Sequence, residues 1–482
     1  MTKPLSLPLI CQPSATRSDT LAVQVYRDLL DAVRAGRLSH GSRLPSSRGA
    51  AQALGLSRST INLAYELLRA EGVIDVRQGA APQVVAPDAG PAKPPVEVAR
   101  PPSARGRQLG AVRRDSATAQ VSGRMAPGEP SEALFPADEW ARALRRAARR
   151  MHGPVSSYAA PHGLPALRGI LAERLATDRG LAVDPEHILI TTGTQGSLAL
   201  AAQVLSDAGD RAALEDPGYP GARAAFLGAG LRLHSMPVDA EGAQPYGLPD
   251  DTRLIYLTPS NQYPLGIRMS HARRLAFLSR AQQTGALILE DDYDSEFLWR
   301  GREIAALAAE ASAGQVIYMG SASKVLMPAL RLGWMAVPPD LIEPLRAAQR
   351  NLGLMANLHA QHALADMMRA GRYRAQLKRI ARVYEGRGRG LAQALSSIDG
   401  VSASQPDGGV QVAARFDGQL TEDGALAAVA VHGFQPARLS DYCAGAELRG
   451  LVIGFADATP ERIALFADAL RTAQSSISDK NP

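Results

Sequence analysis

Of the 53 basic residues in this 482-residue chain, only five are lysines: Lys3, Lys93, Lys324, Lys378 and Lys480. Two lie in the tails and one in a proline-rich stretch, so chemistry that needs a side-chain amine must choose between Lys324 and Lys378. Lys324 stands in VIYMGSASKVLMPALRLGWM, flanked by Ser321 and Ser323 and followed by Arg331. Another apolar run, ALILEDDYDSEF, ends in Asp291, Asp292 and Tyr293. These acids admit three readings: a magnesium site, a solvated loop, or a carboxylate opposite a buried cation. Three more runs end in turns: HILITTGTQGSLALAAQVL at Gly193, RAALEDPGYPGARAAF at Tyr219, and RLIYLTPSNQYPLG. A glycine turn that opens a helix offers backbone N–H groups to an anion. Together these segments supply an amine for a Schiff base, an acid to hold a pyridine nitrogen protonated, and a donor for a ring hydroxyl. They also supply an aromatic ring to stack and an anion cup, which completes the requirement for pyridoxal phosphate (PLP).

Each candidate sits where an apolar run gives way to a polar loop. That is the carboxyl end of a strand, where ligands gather in open α/β sheets. From residue 121 onward strands and helices alternate, which predicts an α/β domain over 121–477. Residues 88–120 are rich in Pro, Ala and Gly with no apolar period, and read as a linker. Before them, residues 14–87 form a small, mostly helical module. In it TLAVQVYRDLLDAVRAG places Leu21, Val25, Leu29 and Val33 at helical spacing, and LPSSRGAAQALG gives a short second helix. Ser57 caps a third, SRSTINLAYELLRAEG, with Ile61, Tyr65 and Leu68 facing inward. VIDVRQGAAPQVV then reads as two short strands about Gly79. This is the winged helix-turn-helix order.

Charge follows the same division. Residues 1–87 carry ten Lys and Arg against six Asp and Glu, within a chain whose net charge is +6. The positive excess lies where it could meet phosphates. No run of eighteen apolar residues could span a bilayer, the amino terminus is a poor secretion signal, and the two cysteines, Cys11 and Cys443, make no disulfide framework. A cytoplasmic protein with no membrane contact is expected, and no metal ion is required.

The polar face of the third helix carries Ser57, Arg58, Ser59, Thr60 and Asn62, types that contact phosphates and base edges. RLPSSRGAAQALGLSRSTINLAYELLRAEG resembles the GntR family of bacterial transcription regulators. The resemblance places Arg48, Arg58, Ser59, Thr60 and Asn62 at positions that contact operator DNA. The family's wing usually reads Gly-x-Gly-Thr-[Phe/Tyr]-Val; here it is GAAPQVV.

Residues 121–477 resemble a fold-type I, aspartate-aminotransferase-like domain, and the whole chain resembles the MocR/GabR regulators. The resemblance implies a mixed, mostly parallel sheet with helices on both faces. It implies that Lys324 forms the Schiff base with PLP and that Asp291 pairs with the pyridine nitrogen. Tyr293 would bond the ring hydroxyl, Tyr219 would stack on the ring, and Asn261 and Tyr263 would lie at the hydroxyl edge. Gly193, Thr194, Gln195, Ser321 and Arg331 would form the phosphate cup, with Ser323 beside it. Tyr158 matches a tyrosine that reaches a phosphate in the neighbouring subunit, which implies a homodimer. One position departs. Aminotransferases bind a substrate carboxylate with an Arg on a late strand, and here GLVIGFAD puts Val452 in that place; the nearest arginines are Arg449 and Arg223. The expectation is a regulator that senses a small amine, an amino acid or PLP itself, with at most a residual transamination half-reaction. The alternative is an active aminotransferase with an accessory DNA-binding module.

Overall fold

The computed structural model describes residues 7–14, 18–77, 80–85, 102–112, 124–150, 162–297, 299, 305–312 and 314–478. Its contacts divide the chain into two units, Met1–Pro101 and Pro102–Pro482.

In the first unit three helices, α1 (Leu21–Arg34), α2 (Ser47–Leu54) and α3 (Arg58–Ala70), precede an antiparallel pair, β1 (Ile74–Asp75) and β2 (Gln83–Val84). Val25, Leu29 and Val33 of α1 share one core with Ile61, Tyr65 and Leu68 of α3, and Leu7 and Cys11 join it. Capping shapes the turn between α2 and α3. Ser46 Oγ accepts from Gly49 N at 3.2 Å, and Ser57 Oγ accepts from Thr60 N at 3.1 Å. Each such cap is worth about 1 kcal/mol. Gly55 ends α2 at φ 65°, a left-handed position that favours glycine. The tip of the expected wing, with Gly79, lies outside the described residues.

In the second unit, part of the stretch read as extended linker is helical instead: α4 spans Ala104–Ala111. The prolines stop at Pro102, and Ser103 caps the helix by accepting from Gly106 N at 3.0 Å. The helix packs on the helix Pro220–Ala229, with Leu109 against Gly228. Tertiary packing thus decides a segment whose composition reads as coil.

The main sheet has eight strands: β3 (Ile188–Thr191), β4 (Arg211–Asp216), β5 (Arg232–Asp239), β6 (Gly242–Ala243), β7 (Thr252–Leu257), β8 (Leu287–Asp292), β9 (Val316–Ser321) and β10 (Gly333–Ala336). Their order is β3-β10-β9-β8-β7-β4-β5-β6. Pairing is parallel from β9 to β5, while β10 runs antiparallel between β3 and β9, and β6 antiparallel at the far edge. Alternate residues enter different cores: Ile188 and Ile190 of β3 in one, Leu189 in another, and likewise Ile288 and Leu289 of β8. A sheet covered on both faces needs this near-continuous apolar run. A second, antiparallel sheet of β11 (Val401–Ala403), β12 (Gln411–Phe416), β13 (Ala437–Arg438) and β14 (Gly450–Gly454) has the order β11-β12-β14-β13. Among the described residues no helix is long and apolar enough to cross a membrane.

Candidate cofactor site and nucleic-acid face

A cavity of about 330 Å³ opens at the carboxyl ends of the parallel strands. Strand β10 organises one wall. Gly333 pairs with Thr191 on one side and Ser321 on the other, and a Cβ at Gly333 would stand 2.8 Å from Gly193 Cα. Only glycine allows that approach, which draws the Gly193 turn, Ser321 and Arg331 together. Gly193, at φ 91° and ψ 173°, precedes the helix Thr194–Leu205. The first N–H groups of a helix have no intrahelical acceptor, and Gly193, Thr194 and Gln195 line the cavity there. Arg331 holds φ 51° and ψ 49°, a left-handed backbone that costs a non-glycine residue about 1–2 kcal/mol. Such strain persists where surroundings over-determine the position.

The acidic run resolves by alternation, because successive strand residues face opposite sides. Asp292 pairs with Arg179 at 2.9 Å and accepts from the Tyr318 hydroxyl at 2.5 Å. Asp291 Oδ2 accepts from the Tyr256 hydroxyl at 2.7 Å, while its buried Oδ1 has no hydrogen-bond partner among the described residues. Burial pushes the Asp291 carboxyl up to about 7, against the pull of the Tyr256 bond. With Asp291 only 3% and Asp292 only 6% exposed, the solvated-loop reading falls, and Asp292 meets the buried-cation reading.

Lys324 Nζ donates to the Gly128 carbonyl. Ser321 Oγ donates to Ser323 Oγ at 2.8 Å. Tyr263 is the centre of an aromatic group, its ring 5.4 Å from Tyr219, 5.7 Å from Tyr293 and 5.5 Å from Tyr442. Gly218 N donates to the Tyr442 carbonyl at 3.0 Å, which ties that distant residue to the Tyr219 turn. The Tyr293 hydroxyl donates to the Asn261 carbonyl at 3.0 Å, and Asn261 Nδ2 donates to Asp294 at 2.6 Å.

Of the residues singled out by sequence, the structure brings Gly193, Thr194, Gln195, Tyr219, Tyr263, Asp291, Tyr293, Ser321, Ser323, Lys324 and Arg331 to this one cavity. Asn261 is not in the lining and instead holds Tyr293. Tyr158 lies outside the described residues. The orphaned Asp291 Oδ1, the amine, the aromatic faces and the helix-terminal anion cup form the donor and acceptor set of pyridoxal phosphate, so the residues fit that group. Sequence reasoning missed Pro127, Gly128, Glu129, Tyr256 and Tyr442, which also line the cavity. Alternation along RLIYL could have found Tyr256; the others come from remote segments with no local signal. Among them the 125–129 stretch is fixed against β14, where Gly454 N donates to Met125 O at 2.8 Å.

In the first unit Arg48 on α2 and Arg58, Ser59 and Asn62 on α3 are exposed. Arg58 Nε lies 3.4 Å from Ser47 Oγ, linking the two helices. The Ser57 and Thr60 hydroxyls are 2.7 Å apart within the helix cap, so both help to hold the helix end. Leu63, 48% exposed, shares this face and was not anticipated.

The sequence matches the family described as aminotransferase class I and II over residues 125–441, and the gntR family of bacterial regulatory proteins over residues 21–84. The chain therefore belongs to the transcription regulators that join a GntR-type helix-turn-helix domain to a class I/II aminotransferase domain, the MocR type. It is 35% identical to the probable rhizopine catabolism regulatory protein MocR of Rhizobium meliloti, over 93% of each chain. It is 29% identical to the HTH-type pyridoxine biosynthesis transcriptional regulator PdxR of Corynebacterium glutamicum, over 98% of each. Among solved structures, the α-aminoadipate aminotransferase LysN of Thermus thermophilus, complexed with N-(5'-phosphopyridoxyl)-L-leucine, superposes with a TM-score of 0.69 at 27% identity. That match covers 77% of this chain and 98% of that one.

Proposed function

We propose that this regulator binds PLP in the cavity at the strand ends, senses a small amine there, or PLP itself, and changes its grip on double-stranded operator DNA in response. The observation that carries this reading is the buried Asp291 Oδ1, without a partner among the described residues, in the same cavity as Lys324 and the Gly193 turn. Bound there, PLP supplies an aldehyde carbon that captures primary amines. Lys324 is the resident amine, and Asp291 holds the pyridine nitrogen. Tyr293, fixed by Asn261, serves the ring hydroxyl, and Tyr219 lies on the ring face. The Thr194–Leu205 helix terminus, Ser321, Ser323 and Arg331 hold the phosphate, Arg331 through a charge-assisted bond. Tyr158 would reach the phosphate of the second subunit in a homodimer.

In the other unit, Arg48, Arg58, Ser59 and Asn62 meet phosphates and base edges, while Ser57 and Thr60 hold the helix end beside them. A route for the signal runs through α4. Tyr219 is the cap position of the helix Pro220–Ala229, α4 packs on that helix, and the chain leads from α4 back to the DNA-binding unit. For this to be regulation, the effector must prefer one arrangement over the other. Sensing rather than turnover is favoured by what stands at the clamp position: Val452 is fully buried among Leu265, Ala413, Ala437, Leu439 and Tyr442. The setting is the bacterial cytoplasm.

The test is an absorbance spectrum before and after borohydride, followed by operator gel shifts with and without added amines. A band lost on reduction, with cofactor mass on the Lys324 peptide, is expected, as is an amine-dependent shift of operator affinity. A protein that stays colourless with added PLP would sink the proposal.

A further inference from the structure

Among the described residues, four charged side chains line the strand-end cavity: Glu129, Asp291, Lys324 and Arg331. On the reading above, the cofactor occupies three of them. Its ring nitrogen takes Asp291, its aldehyde carbon takes Lys324 and its phosphate takes Arg331. Glu129 remains. It is half-buried and, among the described residues, it makes no hydrogen bond or ion pair. Burial pushes its carboxyl up, and Lys324 pulls it back down. Its position is built rather than incidental. The segment Met125–Gly128 crosses the end of β14, where a Cβ on Gly454 would stand 2.0 Å from the Ala126 carbonyl, and Met125 N donates to Asp457 Oδ1 at 3.0 Å.

Among the described residues, the cavity offers no further cation for an effector carboxylate. Val452 is buried in an apolar cluster, Arg449 is exposed, and Arg223 lines a neighbouring cavity instead. Besides Glu129, the lining holds aromatic rings, among them Tyr263 and Tyr442, with ring centroids 5.5 Å apart. A carboxylate with tyrosine faces is the chemistry that recognises an organic cation, through charge pairing and cation–π attraction.

We infer that Glu129, with Tyr263 and Tyr442, is the specificity site for a second, cationic group on the effector. The effector class is then a diamine or similar basic amine, and anionic amino acids are disfavoured. This rests on the reading of the cavity as the effector site.

The experiment titrates the cofactor-loaded full chain by calorimetry with three probes of equal length: pentylamine, 1,5-diaminopentane and 5-aminopentanoate. The diamine is expected to bind about tenfold tighter than pentylamine, and the amino acid weakest. Glu129→Gln should bring the diamine-to-pentylamine ratio near one, and Glu129→Lys should favour 5-aminopentanoate; melting curves confirm that both variants fold. The inference is overturned if 5-aminopentanoate binds as tightly as the diamine, if Glu129→Gln keeps the ratio, or if no probe binds. It is also overturned if Glu129→Gln moves only the pH titration of the cofactor band, which would make Glu129 a counter-ion for Lys324. Operator gel shifts with the same probes separate the two readings: diamine selectivity without any change in DNA binding would refute the sensor and leave the Glu129 assignment standing.

Discussion

Substituting Asp291 by Asn should strengthen the cofactor-free protein at pH 8 while weakening its hold on PLP. The Asp291 carboxyl is buried and raised from 3.8 to about 7. With a folded value above the unfolded one, the native state holds its proton longer, so ionisation disfavours folding. The cost is absent below pH 4, grows as pH climbs between 4 and 7, and above 7 reaches roughly 4 kcal/mol as an upper figure. Asn removes the charge and can still accept from Tyr256, whose hydroxyl is 2.7 Å from Oδ2. It leaves a buried amide N–H to satisfy, at about 1 kcal/mol. The net gain at pH 8 is about 2–3 kcal/mol, or roughly 3 °C in Tm for a unit of this size. At pH 5 the gain should nearly vanish. The loaded protein should behave oppositely, because Asp291 would hold the pyridine nitrogen through a charge-assisted bond that Asn cannot make; at about 3 kcal/mol for that bond, the PLP affinity should fall about a hundredfold. Melting curves of the cofactor-free protein at pH 5 and 8, with PLP titrations of both proteins, test this. A variant equally destabilised at both pH values, or one with unchanged PLP affinity, would refute the assignment of Asp291.

Other outcomes follow from the same geometry. Lys324→Ala should abolish the Schiff-base absorbance while operator binding persists; a surviving band would implicate Lys378 or another amine. Arg48→Ala with Arg58→Ala should weaken operator binding and lower the slope of log affinity against log salt by about one to two. An unchanged slope would mean that this face does not meet phosphate. Leu109→Asp should detach α4 from the helix Pro220–Ala229. Operator binding would then lose its response to amines with cofactor absorbance intact, and a retained response would exclude α4 from the signal route.

The parts of this protein that sequence made legible are those set by local rules. Helical spacing placed Val25, Leu29 and Val33 against Ile61, Tyr65 and Leu68, and the Ser57 cap marked the start of the third helix. Each apolar run before a polar turn proved to be a strand whose end reaches the cavity, since a sheet buried on both faces must be written in such runs. The illegible parts depend on segments far apart in the chain. The α4 helix follows a proline-rich run and gains its partner, Pro220–Ala229, only in the folded unit. Asn261 carries the right chemistry at the right strand end, yet it lies outside the cavity lining, its amide donating to Asp294 and its carbonyl accepting from Tyr293.

The departure at Val452 shows why a missing residue is weaker evidence than a present one. From sequence, its apolar side chain raised only a question, because Arg449 and Arg223 stood nearby to replace the lost cation. The folded chain answers it by geometry: Val452 points into an apolar cluster, and neither arginine lines the cavity. The same fold brings Glu129, more than 300 residues away in sequence, to that cavity by way of the Gly454 crossing. A cavity that presents a carboxylate where an arginine clamp could have stood does more than relax its selectivity, because electrostatics penalise the wrong sign as well as reward the right one. On the proposed reading, the chemistry of the effector is set by one strand position and one loop position together, Val452 and Glu129.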